Sequence, residues 1–255
     1  LENNFSQIGN QSEAPDTALT EKLTNSADSM LTMRCMELGI APESKEAPNS
    51  IKEALIEFFG IKEGTLSYLS ESERTALSKN IGLVATGSKR TPCLTVFDKG
   101  MGQSPSQFPD TFLSLGKSNK VRIGFVQGKF NMGSTGSLLF CGTRNLQLII
   151  SKKKPGLEPQ LHDKDQWGVT VVRKDPPIGS MKSSVFRFLA PVQGQVLSFE
   201  SDSMPILPRD GDSSSAYLDP IAYGSFIKLY DYDIGASAAA YRTNILFDLN
   251  YRLNL

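Results

Sequence analysis

The hydrophobic period of this chain changes near Pro92, and that change restricts the fold more than any other feature. Over residues 18–38 the apolar side chains Leu19, Leu23, Ala27, Met30 and Leu31 recur at helical spacing, which predicts an amphipathic helix. Ser50-Ile51-Lys52-Glu53 and Ser70-Glu71-Ser72-Glu73 carry the capping-box pattern that opens a helix, so residues from about 39 to 91 read as a helical insertion. Beyond Pro92 the runs 93–97, 146–151, 168–173, 185–189, 196–199 and 225–230 are strand-like and are joined by polar or glycine-bearing loops. The expectation is an α+β fold, a two-layer sandwich of a mixed, mostly antiparallel sheet covered by helices. The chain shows no internal repeat, begins without methionine, and stops inside a helix-like stretch at 238–253, which suggests a fragment of a longer protein.

With 255 residues the chain can bury a substantial core as a single domain, 1–255. Its 27 basic and 27 acidic side chains cancel, so no overall field points to nucleic acid or an acidic membrane. Nucleic acid as a partner is expected only through regions outside this sequence. Cys35, Cys93 and Cys141 are widely spaced and lack a C-x-x-C arrangement, which argues against a disulfide framework and a zinc site. No stretch approaches the roughly 20 apolar residues of a spanning helix. A reducing cytoplasmic location with no membrane partner is the natural expectation.

Chemistry-bearing residues fall into three groups. On the first helix Glu21, Asn25 and Asp28 lie within roughly 60° of one another at about 100° per residue, with Leu19, Leu23 and Met30 opposite. Asn offers Mg²⁺ a neutral hard oxygen, and Glu can take a proton from water. A solvated polar face explains the same pattern. Asp98-Lys99-Gly100-Met101-Gly102 delivers a carboxylate from a strand end into a glycine turn, where it can accept a hydrogen bond from the exocyclic amine of adenine; an ordinary tight turn has the same composition. Gly128-Lys129-Phe130-Asn131-Met132-Gly133, continuing to Gly136, is a glycine-rich loop ahead of a possible helix opening at Ser137-Leu138-Leu139-Phe140. Its backbone amides suit phosphate, although a surface loop would look alike, and the Walker pattern is absent. Upstream, Ser118-Asn119-Lys120 adds a hydroxyl and an ammonium, either phosphate contacts or a polar loop.

The order and spacing of these groups resemble the GHKL superfamily of ATPases, which includes gyrase B, MutL and the sensor histidine kinases. Glu21, Asn25 and Asp28 match E-x-x-x-N-x-x-D; Asp98, Gly100 and Gly102 match D-x-G-x-G; Gly128-Lys129-Phe130-x-x-Gly133 matches the glycine lid. Gly224-Ser225-Phe226-Ile227-Lys228-Leu229 looks like the late G-T-x-I-x-L strand, with Ser225 in place of threonine. The segment 115–120 ahead of the glycine loop is similar to that of MORC-like members. The resemblance implies a Bergerat ATP-binding fold with a nucleotide lid over about 103–136. It implies ATP and Mg²⁺ as ligands, Glu21 as general base, Asn25 as Mg²⁺ ligand and Asp98 as adenine anchor. Asp28 would support the site; Gly100, Gly102, Ser118, Lys120, Gly128, Lys129, Phe130, Asn131, Met132, Gly133 and Ser225 would contact or enclose the nucleotide. Asn131 stands where many members have glycine, which bears on lid geometry. The partners implied are ATP and ADP, with self-association or a downstream domain that can lend a lysine to the γ-phosphate.

Two other function classes share the fold. A histidine kinase would pass phosphate to histidine, yet Glu21 favours water as acceptor, and the single histidine, His162, lies in a loop-like segment. A nucleotide-gated scaffold would bind ATP without significant turnover. Lys152-Lys153-Lys154 reads as a solvated hairpin, Trp167 with Phe186 and Phe188 as sheet packing, Asp231 and Asp233 as a strand end, and the cysteines as buried fillers.

Overall fold

The computed structural model describes residues 14–88, 90–113, 120, 122–128, 136–159, 161–163, 165–177, 179, 184–191, 194–206 and 219–234. Helix α1 spans Pro15–Glu37, with proline in its first turn, where the missing N–H costs nothing, and Arg34 in its last. Helices α2 (Ile51–Phe59) and α3 (Glu71–Ser78) begin where the capping signals place them. The Glu53 amide donates to Ser50 Oγ at 3.2 Å, and at α3 the box is reciprocal, with the Glu73 carboxylate accepting from the Ser70 amide at 2.7 Å. The stretch expected at 238–253 lies outside the described residues.

Seven strands form one sheet: β1 (Ile81–Gly87), β2 (Pro92–Asp98), β3 (Leu146–Lys152), β4 (Gln166–Asp175), β5 (Val185–Phe188), β6 (Leu197–Glu200) and β7 (Gly224–Leu229). The order is β1-β2-β7-β3-β4-β5, with β6 beside β5 along the outer edge of β4. The class is α+β, and all six pairings among the described residues are antiparallel, so the expected mixed character is not found there. The helical insertion over 39–91 also needs correction. It is helical only as far as Ser78, and Ile81–Gly87 is a strand, paired along its whole length with β2.

Side-chain alternation divides the core. On one face of the sheet Leu94, Ile149, Val172 and Leu229 meet Leu19 and Leu23 of α1. On the other, Val84, Phe97, Trp167 and Phe226 pack with Ile206 and Ile221 from irregular segments, with no helix among the described residues in this cluster. A third cluster joins the C-terminal half of α1, through Leu31 and Cys35, to Ala54 and Phe58 of α2 and to Ile123, Phe125 and Val126. α1 is thus wedged between the sheet and α2, and of its expected polar side Asp28 is buried while Glu21 and Asn25 stay partly exposed.

Trp167, Phe186 and Phe188 are sheet packing, as expected, on different faces: Trp167 packs on Phe226 with ring centroids 6.0 Å apart, and Phe186 and Phe188 lie on the opposite face. Two further expectations change. Lys152, Lys153 and Lys154 are not a solvated hairpin: their ammonium groups donate to the carbonyl of Ser201 at 2.9 Å, the carbonyl of Pro159 at 2.8 Å, and the Tyr223 hydroxyl at 2.8 Å, respectively. Lys154 also pairs with Glu37 of α1 at 3.0 Å, stitching the end of β3 to the helix. Of the lid expected over 103–136, the 3-10 turn Pro105–Asp110 belongs to the core. Phe108 is fully buried, and Asp163 accepts from both the amide and the hydroxyl of Ser106.

Candidate functional site

β2 is a central strand, and its alternation aims Leu94, Val96 and Asp98 at α1. The first two pack. The third, at the end of the strand, brings a carboxylate to the interface between sheet and helix with only 6 % exposure. Its Oδ1 accepts from the Gly100 amide at 3.0 Å and its Oδ2 from the Ser26 hydroxyl at 3.3 Å. Ser29, one turn along α1 from Ser26, also bonds the carboxyl and accepts from the Met101 amide at 3.1 Å. Burial pushes the Asp98 pKa up to about 7, against the opposing pull of the Gly100 amide, the two serine hydroxyls and the Lys120 ammonium.

The register sets Ser225 of β7 directly opposite Asp98, and Ser151 of β3 opposite Ser225. The two serine hydroxyls lie 3.0 Å apart, and Ser151 Oγ also donates to the Gly224 carbonyl and accepts from the Gln103 amide, each at 2.9 Å. A row of three short polar side chains therefore crosses the central strands at one end, beneath α1. Gly102, in the turn after Asp98, has φ of +61°, and a Cβ there would run into the Lys152 carbonyl. Glycine at 102 lets the turn fold back onto β3.

A second cluster forms on the same turns of α1, rotated by about 100° per residue from the serines, because Asn25 and Asp28 directly precede Ser26 and Ser29. Asp28, 1 % exposed, accepts the Gln127 amide at 2.9 Å on Oδ1 and the Gly128 amide at 2.8 Å on Oδ2. The solvated-face alternative therefore does not hold for Asp28. Lys120 Nζ reaches Asp28 Oδ2 at 3.3 Å and Asn25 Oδ1 at 3.2 Å. A Cβ on Gly128 would stand 2.6 Å from Asn25 Oδ1 and 3.0 Å from Asp28 Oδ2, so only glycine brings this backbone up to the helix. Glu21 sits one helical turn before Asn25 and is half-buried. Ser118, Lys129, Phe130, Asn131, Met132 and Gly133 lie outside the described residues, while Ser137–Phe140, expected to open a helix, is a single 3-10 turn.

α1 is common to both clusters: residues 26 and 29 hold the β2 turn, and residues 25 and 28 hold the start of the glycine loop. Segments some 70 and 100 positions away in sequence converge on it. Ser26, Ser29, Gln127 and Ser151 were not singled out from the sequence. Ser29 had a legible signal, since it follows Asn25 by one helical turn, whereas Ser151 becomes visible only through the β3–β7 register. No family model matches the chain, and no curated protein is significantly similar to it.

The Gly128 geometry makes a prediction. If the site takes the nucleotide that the sequence resemblance implies, Gly128→Ala should lower ADP affinity at least about tenfold, or 1.4 kcal/mol, because the added methyl displaces Asn25 or detaches the loop from Asp28. Titration calorimetry checks it. Affinity equal to that of the unsubstituted chain would mean that this approach of backbone to helix is not part of a binding site.

Proposed function

We propose that this chain is an ATP-binding domain of the GHKL type, with a Bergerat fold, that binds and hydrolyses ATP with Mg²⁺. The observation that carries the reading is the convergence on one helix of a buried carboxyl group, Asp98, and an amide-lined approach, Gln127–Gly128. Buried carboxylates are costly, and one with a pKa near neutrality in a polar row suits a ligand that presents an N–H group. The exocyclic amine of adenine supplies that donor, with the Ser225 and Ser151 hydroxyls beside it to bond the rest of the ring edge. Phosphates would then extend toward Gly128, Lys120 and Asn25.

Among the described residues no three His, Cys, Asp or Glu side chains form a metal-binding group, so a metal here would complete its shell from phosphate and water. The Asn25 oxygen fits that role, since it already faces a cation, the Lys120 ammonium. Bound Mg²⁺ would supply charge neutralisation at the phosphates. The chain's own residues do the remainder: Asp98 fixes the base, Asp28 holds the amides at 127 and 128, and Glu21 takes a proton from the attacking water. Turnover of this kind would drive dimerisation or movement of an adjoining domain.

Base recognition gives the direct test. ATP with Mg²⁺ should raise the melting temperature, by RT ln(1 + [L]/Kd) in free energy and hence about 2.7 kcal/mol at a hundredfold excess over Kd. GTP at equal concentration should raise it far less, because its base turns a carbonyl oxygen toward Asp98. Equal shifts from the two nucleotides would remove Asp98 as the adenine anchor, and no shift from either would remove the nucleotide reading.

A further inference from the structure

The Lys120 ammonium lies between Asn25 Oδ1, the oxygen assigned above to Mg²⁺, and Asp28 Oδ2, at 3.2 and 3.3 Å. Both distances exceed the 2.7–2.9 Å of a strong charge-assisted bond. Asp28 does not depend on this lysine, because its two oxygens keep the Gln127 and Gly128 amides at 2.9 and 2.8 Å. The side chain of Lys120 is 26 % exposed against 2 % for Asp28, so the lysine is the partner free to move. Its charge also acts on Asp98, opposing the rise in that group's pKa.

Resting on the nucleotide reading above, we infer that Lys120 is an exchangeable counter-cation: it occupies the Asn25 oxygen in the nucleotide-free protein and releases it to the phosphates' metal when nucleotide binds. An ammonium and a divalent ion on one carbonyl oxygen repel each other across a few ångströms, and in a partly buried site that repulsion is weakly screened. Lys120 therefore swings from Asn25 to phosphate oxygen, while Asp28 holds the loop base through the exchange. When Mg²⁺ is absent, Lys120 is the cation that makes a polyphosphate tolerable beside Asp28. Lys120 acts as a positioning residue that sets how strongly nucleotide affinity depends on the metal.

The test is ADP affinity by calorimetry, in EDTA and in excess Mg²⁺, for the unsubstituted protein, Lys120→Met and Lys120→Arg. In Lys120→Met the ratio of the EDTA to the Mg²⁺ dissociation constant should widen at least about fivefold, since the metal-free complex loses a cation beside the phosphates and the metal-bound complex loses a competitor. Lys120→Arg keeps the charge and should hold the ratio near its original value. A merely structural lysine would weaken both affinities by one factor, and that unchanged ratio overturns the inference while leaving the nucleotide reading intact. An unsubstituted protein that binds ADP in neither condition overturns both. Should Lys120→Met fail to fold, Lys120→Gln carries the same comparison.

Discussion

Asp98→Asn should raise the melting temperature of the nucleotide-free protein and, in the same molecule, abolish most of the rise expected with ATP. Asp98 has a folded pKa of about 7 against an ordinary 3.8, chiefly because burial disfavours its charge. The native state therefore keeps a proton that the unfolded chain gives up above about pH 4. The stability this contributes is fully present at lower pH and is lost as pH rises toward 7, a difference of about 4 kcal/mol across the window. Asn has no charge to desolvate. Its oxygen can accept from the Gly100 amide, and its NH₂ can donate to the Ser26 hydroxyl, which rotates to receive it. Part of the 4 kcal/mol returns, on the order of 1–3 kcal/mol above neutral pH, or roughly 3–10 °C for a domain of this size. The slope of stability against pH between about 4 and 7 should flatten as well. Binding moves the other way: with the one oxygen of Asn held by Gly100, an NH₂ faces the adenine amine, donor against donor. Scanning fluorimetry with and without nucleotide reads both effects. A variant less stable than the parent would refute the electrostatic account, and an undiminished nucleotide shift would refute the anchor.

A residue kept at such a cost to the empty fold is typical of a binding position, and the sequence shows why Asp98 could be singled out while its neighbours could not. The strand leading into Asp98, the glycine turn, α1 and both capping boxes depend on residues within a few positions of one another. β1 was missed because Ile81–Gly87 follows α3 after only two residues and contains glycines; its strand character comes from pairing with β2, Leu83 against Val96. The three lysines at 152–154 look solvated in the sequence because charge usually is, and their acceptors become visible only in the fold: Ser201 and Tyr223 from distant segments, and Pro159 from the loop that follows β3. That Trp167, Phe186 and Phe188 are sheet packing is legible from residue type, while the face each occupies follows only from the β4–β5 register, which pairs Phe188 with Val172. In the site the placement of Asp98 at a strand end and of Asp28 beside Asn25 on one side of α1 is legible from residue type and helix phase. Ser26 and Ser151 were not, since a serine signifies nothing until the residue opposite it is known.

Glu21→Ala should lower ATP hydrolysis by roughly 10²–10⁴-fold, the usual contribution of a positioned general base, with ADP affinity changed by less than about threefold. Glu21 lies one turn before Asn25, so their Cβ atoms are about 5–6 Å apart on one side of α1, and a water between a metal-bound phosphate and this carboxylate is within reach. The substitution has one side effect to separate out. Lys22 is buried, which lowers its pKa to about 8, and the Glu21 carboxylate is the leading influence that opposes the shift. Removing that carboxylate makes the Lys22 ammonium costlier, so melting temperature and ADP affinity must be followed beside the rate, and Glu21→Gln serves as the closer match in shape. The assay belongs both on this chain and on any longer protein containing it, because the resemblance implies a γ-phosphate lysine from a following domain. Hydrolysis undiminished in the alanine variant would show that Glu21 is not the base. Binding without turnover in parent and variant alike would shift the reading to a nucleotide-gated scaffold, with dimerisation rather than phosphate release as the output. Acid-labile phosphate on a partner's histidine, in place of phosphate in solution, would instead identify a kinase, in which Glu21 would act on an imidazole N–H and its removal would slow transfer without affecting the bound nucleotide.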